Sequence, residues 1–145
     1  MAPWGRVAVL SAGGVLGVNA RFWLGLWISR WADPRFPWAT FTVNISGAFV
    51  AGLLSAALAA RLPHPDARLF AVTGFLGGYT TFSAFALESL AHWESGAAGR
   101  AVAYAFGSLG AGLVAVALGT ALARGLVPGS PPTPNASGVV ARPID

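Results

Sequence analysis

Apolar residues in this chain fall in long blocks, not in the short alternations that mark half-buried helices or strands. Four such blocks stand out, at about 7–28, 38–60, 69–90 and 102–123. Each has roughly the 20 residues that a helix needs to cross a bilayer. The first block could be read as a signal-peptide core, with Val7–Leu16 behind Arg6. Its apolar run continues well beyond such a core, which favours a retained helix. Pro37 stands just before the second block, where its missing N–H costs little. The pattern predicts an all-α integral membrane fold of four transmembrane helices joined by short connectors. Residues 1–127 form one membrane domain. From Pro128 the chain becomes rich in Pro, Ser and Gly, and 128–145 is expected to be a disordered tail.

Composition agrees with a lipid solvent. The 145 residues are 55% hydrophobic and only 10% charged, whereas a soluble domain carries about a quarter charged residues. The formal net charge is +4. A high pI suggests nucleic acid only where basic residues cluster. Here the nine arginines are scattered singly and there is no lysine, so no nucleic-acid partner is expected. The absence of cysteine excludes disulfides and thiolate chemistry. His64 and His92 lie in different connectors and make no metal-ligand pattern. Trp4, Trp31, Trp38 and Trp93 flank the spans, as interfacial indoles do.

Charge also bears on orientation. Arg6, Arg61, Arg68 and Arg124 lie near span ends on one side, with Arg142 far out on the tail, and Arg30, Arg35 and Arg100 lie on the other. Arginine bias sets topology, and here it almost vanishes. Either one orientation is weakly specified, or the chain inserts both ways and pairs head-to-tail.

Small residues recur at helical spacing, among them Gly13 and Gly17, Gly47 and Ala51, and Ser108 and Gly112. They predict close helix packing in lipid and say little about function. Polar residues inside spans say more. Arg21 lies about ten residues from Trp31, or about 15 Å along a helix, roughly half the thickness of a hydrocarbon core. A central arginine costs about 2.5–3.5 kcal/mol on insertion scales. That depth favours a water-filled vestibule over snorkelling, and a fixed positive charge there would attract anions. Thr40 and Asn44 share a face of the second helix. They act either as interhelical glue or as donors to a partly dehydrated anion, and spacing does not separate the two.

The stretch Gly74-Phe75-Leu76-Gly77-Gly78-Tyr79-Thr80-Thr81-Phe82-Ser83-Ala84-Phe85 is denser in signal. Interior glycines cost about 1 kcal/mol each relative to alanine, so the third helix is expected to break near 77–80. That is about mid-span, where irregular backbone must be buried in protein or line a watery cavity. Exposed carbonyls there suit a cation. In a head-to-tail dimer two breaks would meet on the two-fold axis, and four carbonyls could surround one hard cation. Phe82 and Phe85 share a helix face. They are either a packed pair or rings offering positive edges to a small anion. Thr81 and Ser83 add hydroxyl donors, and Tyr104 and Ser108 repeat the one-turn spacing on the fourth helix. Glu88 lies either at the interface or opposite a cation such as Arg21.

Gly13-Gly14-x-x-Gly17-x-x-x-Arg21, Thr42-Val43-Asn44-x-x-Gly47 and the Gly74–Phe85 stretch together resemble the Fluc (CrcB) fluoride channel family, over about residues 5–125. The third motif is the most specific. The resemblance implies a multi-pass protein of the prokaryotic inner membrane, forming a dual-topology antiparallel homodimer with two pores that export fluoride passively. It implies a structural Na⁺ at the dimer centre, on the carbonyls of Gly77 and Thr80. It places Asn44, Phe82 and Phe85 in the pore, Arg21 in the vestibule, and Thr40, Tyr104 and Ser108 on a polar track. One departure is Gly112, where family members often carry Ser or Thr.

Two other classes compete. A small multidrug transporter is equally short, but needs a membrane-embedded carboxylate in its first helix, where this chain has only Arg21. An accessory subunit would leave Arg21, Asn44 and the mid-span glycines unexplained. No nucleophile–base pair or metal cluster points to an enzyme.

Overall fold

A computed structural model describes residues 2–61 and 65–126. His64 and the tail expected beyond 127 lie outside the described residues. The regular elements of the described residues are all helical: α1 (Pro3–Ser29), α2 (Trp38–Arg61), α3 (Pro65–Arg68), a π-helical segment (Leu69–Leu76), α4 (Gly77–Tyr79), α5 (Phe82–Glu94) and α6 (Ala98–Leu126). Four stretches, Pro3–Ser29, Trp38–Ser55, Pro65–Glu94 and Ala98–Leu126, are long and apolar enough to cross a membrane.

The helices begin and end where local chemistry allows. Pro3 opens α1, where a proline removes only an N–H without a helical partner. Thr81 caps α5, its Oγ1 accepting the Ala84 N–H at 3.2 Å, which satisfies one of the unpaired amides of a helix start. Gly96 turns the chain from α5 to α6 with φ +76°, a backbone that favours glycine.

Packing depends on backbone-to-backbone approach. A Cβ on Gly52 would overlap the Val116 carbonyl, and one on Gly119 would overlap the Phe49 carbonyl. Helices α2 and α6 therefore cross at their backbones. The same holds where α1 meets the third span. A Cβ on Gly13 would lie 2.5 Å from the Phe70 carbonyl oxygen, and one on Gly17 would overlap that of Phe75. Lipid supplies no hydrophobic drive between helices, so this close contact takes its place. Val43, Leu76 and Tyr79 form the buried centre, with Leu24, Val50, Leu54 and Phe75 against it.

The outside is apolar. Phe22, Trp23, Phe82, Leu87, Phe106 and Leu113 are all exposed, the reverse of a water-facing surface. The glycines of the third span differ from the sequence-based expectation. Among the described residues only Gly96 has positive φ, and Gly74, Gly77 and Gly78 are helical. Gly74 and Gly78 are used for contact with α1, where a Cβ on Gly78 would sit 2.7 Å from the Gly14 carbonyl oxygen. The residues in extended backbone are Thr80 (φ −81°, ψ 157°) and Thr81 (φ −147°, ψ 112°).

Candidate functional site

The extended pair Thr80–Thr81 leaves backbone groups in need of partners, and α2 supplies them. Asn44 Nδ2 donates to the Thr81 carbonyl at 3.0 Å, and the Thr81 N–H donates to Asn44 Oδ1 at 2.8 Å. One amide side chain thus replaces a stretch of helix backbone in both directions. In a continuous helix the Thr81 N–H would reach back to the Gly77 carbonyl, and the Ala84 N–H to that of Thr80. Here the first goes to Asn44 and the second to the Thr81 hydroxyl. Both carbonyls are relieved of their helical donors. Gly77 is exposed, and a Cβ there would meet nothing within 4 Å.

A second strip of α2 holds the end of α4. Ser46 Oγ and the Tyr79 hydroxyl lie 2.8 Å apart, and the Tyr79 ring stacks on Phe75 with centroids 5.8 Å apart. A Cβ on Gly47 would overlap Thr80 Cγ2. Thr80 itself bonds back to Leu76 through both its N–H and its hydroxyl, each at 2.9 Å.

Glu88 gathers the polar groups of three helices. Thr40 Oγ1 donates to Oε1 and the Tyr104 hydroxyl donates to Oε2, both at 2.7 Å. Its partners are thus hydroxyls from α2 and α6; the structure records no Glu88–Arg21 ion pair. The Tyr104 ring is fully buried and packs against Phe36, Phe85 and His92. One turn on, Ser108 Oγ is buried without a hydrogen-bond partner among the described residues, a state that costs about 1–3 kcal/mol. Phe82 and Phe85 are in contact, with ring centroids 5.6 Å apart. Phe85 turns inward onto Tyr104, whereas Phe82 is 79% exposed on the outer face. The Thr81 and Ser83 hydroxyls lie 3.2 Å apart.

Arg21 lines a cleft of about 410 Å³ together with Val18, Phe22, Thr40, Val43 and Thr81. The side chains expected to form the site therefore fall into three linked groups. Arg21, Thr40 and Thr81 line the cleft, Asn44 holds Thr81, and Thr40, Glu88 and Tyr104 are joined by hydrogen bonds, with Ser108 one turn beyond Tyr104. The sequence reading missed the Ser46–Tyr79 pair and the Gly47–Thr80 contact. Gly47, Tyr79 and Thr80 stood in the motifs already noted, but nothing in their spacing paired the second helix with the third. Among the described residues no group of three His, Cys, Asp or Glu could hold a metal ion.

The family described as "CrcB-like protein, Camphor Resistance (CrcB)" matches residues 8–120. The fluoride-specific ion channel FluC of Agrobacterium fabrum is 45% identical over 122 residues, covering 83% of this chain and 98% of that protein. The protein of the same name from Rhizobium meliloti is 42% identical over 123 residues, covering 84% and 98%. That of Thermus thermophilus is 43% identical over 123 residues, covering 84% and 96%. With four membrane-capable helices and a family match across most of its length, the chain belongs to the CrcB family, a family of ion channels and not of enzymes.

Proposed function

We propose that the protein is a fluoride-selective channel that lets cytoplasmic fluoride leave the cell passively, across the inner membrane of a prokaryote. The observation that carries this reading is the cleft lined by Arg21, Thr40 and Thr81, the last of them held by Asn44. Relatives named as fluoride-specific ion channels cover nearly the whole membrane domain. A fixed guanidinium attracts an anion into a low-dielectric opening. Hydroxyl and amide donors can then replace the water that a small, strongly hydrated anion gives up. Beyond Asn44, the edges of Phe82 and Phe85 carry partial positive charge. The Ser108 hydroxyl, unpartnered among the described residues, adds a donor one turn from Tyr104, whose own proton is held by Glu88. Weak-acid HF enters from acidic surroundings and dissociates in the cytoplasm. A negative membrane potential then drives the anion out without a pump.

The working unit is an antiparallel homodimer with two pores. The near-balanced arginines allow insertion in both orientations. Gly77 and Phe82 are both exposed on either side of the extended pair, where a second copy would cover them. The carbonyls of Gly77 and Thr80, relieved of their helical donors, fit a hard cation that takes oxygen ligands, and these two residues of each copy would hold a structural Na⁺. Bound there, the cation would supply positive charge against which the carbonyls of the two copies could converge.

The test is fluoride efflux from liposomes holding the purified protein, read with a fluoride electrode, with valinomycin carrying K⁺ for charge balance. Fluoride-selective efflux, with chloride retained, is the expected result. Folded dimers without efflux would remove the channel reading.

A further inference from the structure

We infer that Gly47 is a positioning residue, which sets the place of the Thr80–Thr81 interruption and through it the carbonyls and donors of the site. Helix α2 meets the interruption at three successive points. Asn44 bonds both backbone groups of Thr81. Ser46 holds the Tyr79 hydroxyl at 2.8 Å. Between these, Gly47 is buried and leaves room for the Thr80 methyl, which a Cβ would overlap; the same Cβ would lie 3.2 Å from Tyr79 Cδ1. Gly47 is three residues beyond Asn44 and faces the same way on the helix. Any side chain there pushes Thr80 outward. Thr81 is covalently tied to Thr80, so it moves off Asn44 as well.

The overlap proper is with one methyl group, while the 3.2 Å approach to Tyr79 Cδ1 is a tight contact that a shift of a few tenths of an ångström relieves. Thr80 Oγ1 is engaged with Leu76, and serine keeps that hydroxyl while removing Cγ2. Thr80→Ser should therefore make space for the Cβ that Gly47→Ala introduces. This compensation separates positioning from general packing damage. At Gly52 and Gly119 the added Cβ would overlap backbone carbonyls, which no side-chain truncation removes.

The experiment compares wild type, G47A, T80S and G47A/T80S in two readouts. Fluoride efflux from liposomes rests on the proposed function. Hydrogen–deuterium exchange of the peptide containing the Thr81 amide does not. For G47A we expect efflux lower by about tenfold, the size of effect that overpacking by one methyl gives, with faster exchange at Thr81 and unchanged exchange in α6. In G47A/T80S both should return to the values of T80S. G47A indistinguishable from wild type in exchange, or G47A/T80S as impaired as G47A, would overturn the assignment. If G47A does not fold, a folded G47A/T80S supports it and an unfolded one overturns it. If the wild type carries no fluoride, the channel reading fails, and the exchange pattern alone decides the role of Gly47.

Discussion

Replacing Asn44 with Asp is a small change in shape and a large one in hydrogen bonding. The variant keeps an oxygen to accept the Thr81 N–H, now at 2.8 Å. In place of the amide donor it sets a second carboxylate oxygen against the Thr81 carbonyl, where the present contact is 3.0 Å. Losing the bond costs about 1 kcal/mol, and opposing two acceptors in a half-buried site adds about 1–3 kcal/mol. A total near 3 kcal/mol shifts the equilibrium between the anchored and released arrangements about a hundredfold toward release. The added negative charge also repels an anion approaching through the Arg21 cleft. Fluoride efflux from liposomes should fall, by up to that factor, while size-exclusion chromatography still shows folded protein. Efflux at the wild-type rate in Asn44→Asp would refute the reasoning, because neither the anchor nor the donor would then matter to conduction.

Three further outcomes follow from the same geometry. Phe82→Ile or Phe85→Ile should cut fluoride efflux and leave oligomer assembly intact, since either change removes a ring edge; unchanged efflux in both would take the rings out of the pathway. Tyr104→Phe keeps the buried ring against Phe36 and Phe85 but loses the 2.7 Å donor to Glu88. It should lower stability by about 1–3 kcal/mol in a thermal melt, and a melt superimposable on wild type would show that this bond contributes nothing. In the α1–α2 connector, the hydrogen bonds from Arg35 hold the Asp33 carboxyl below its ordinary value. A depressed folded value means the pairing is complete above the unfolded value, about 3.9, and is lost as pH falls through the folded one. The Arg35 Nε–H resonance should therefore stay constant from neutral pH to about pH 4 and move only below it; movement between pH 5 and 7 would contradict the pairing.

Four apolar blocks and a charge content of 10% were enough to name lipid as the solvent and to count the spans, because hydrocarbon admits few other ways to satisfy a backbone. Polar residues such as Arg21 and Asn44 stood out for the same reason, as groups that an apolar span would otherwise exclude. Tertiary structure decided what those groups touch. The Asn44–Thr81 pairing joins residues 37 apart in the chain and the Thr40–Glu88 bond residues 48 apart, and both depend on which helix faces meet. Spacing along one helix does not encode that. The glycines show the limit most plainly. A glycine read alone is a weak point in a helix, yet Gly74 and Gly78 stay helical and let α1 come within backbone contact. The extended residues follow at Thr80 and Thr81, where Asn44 and the Thr81 hydroxyl supply the partners that the helix gives up. Only the packed neighbour determines whether a glycine serves as a break or as a seat.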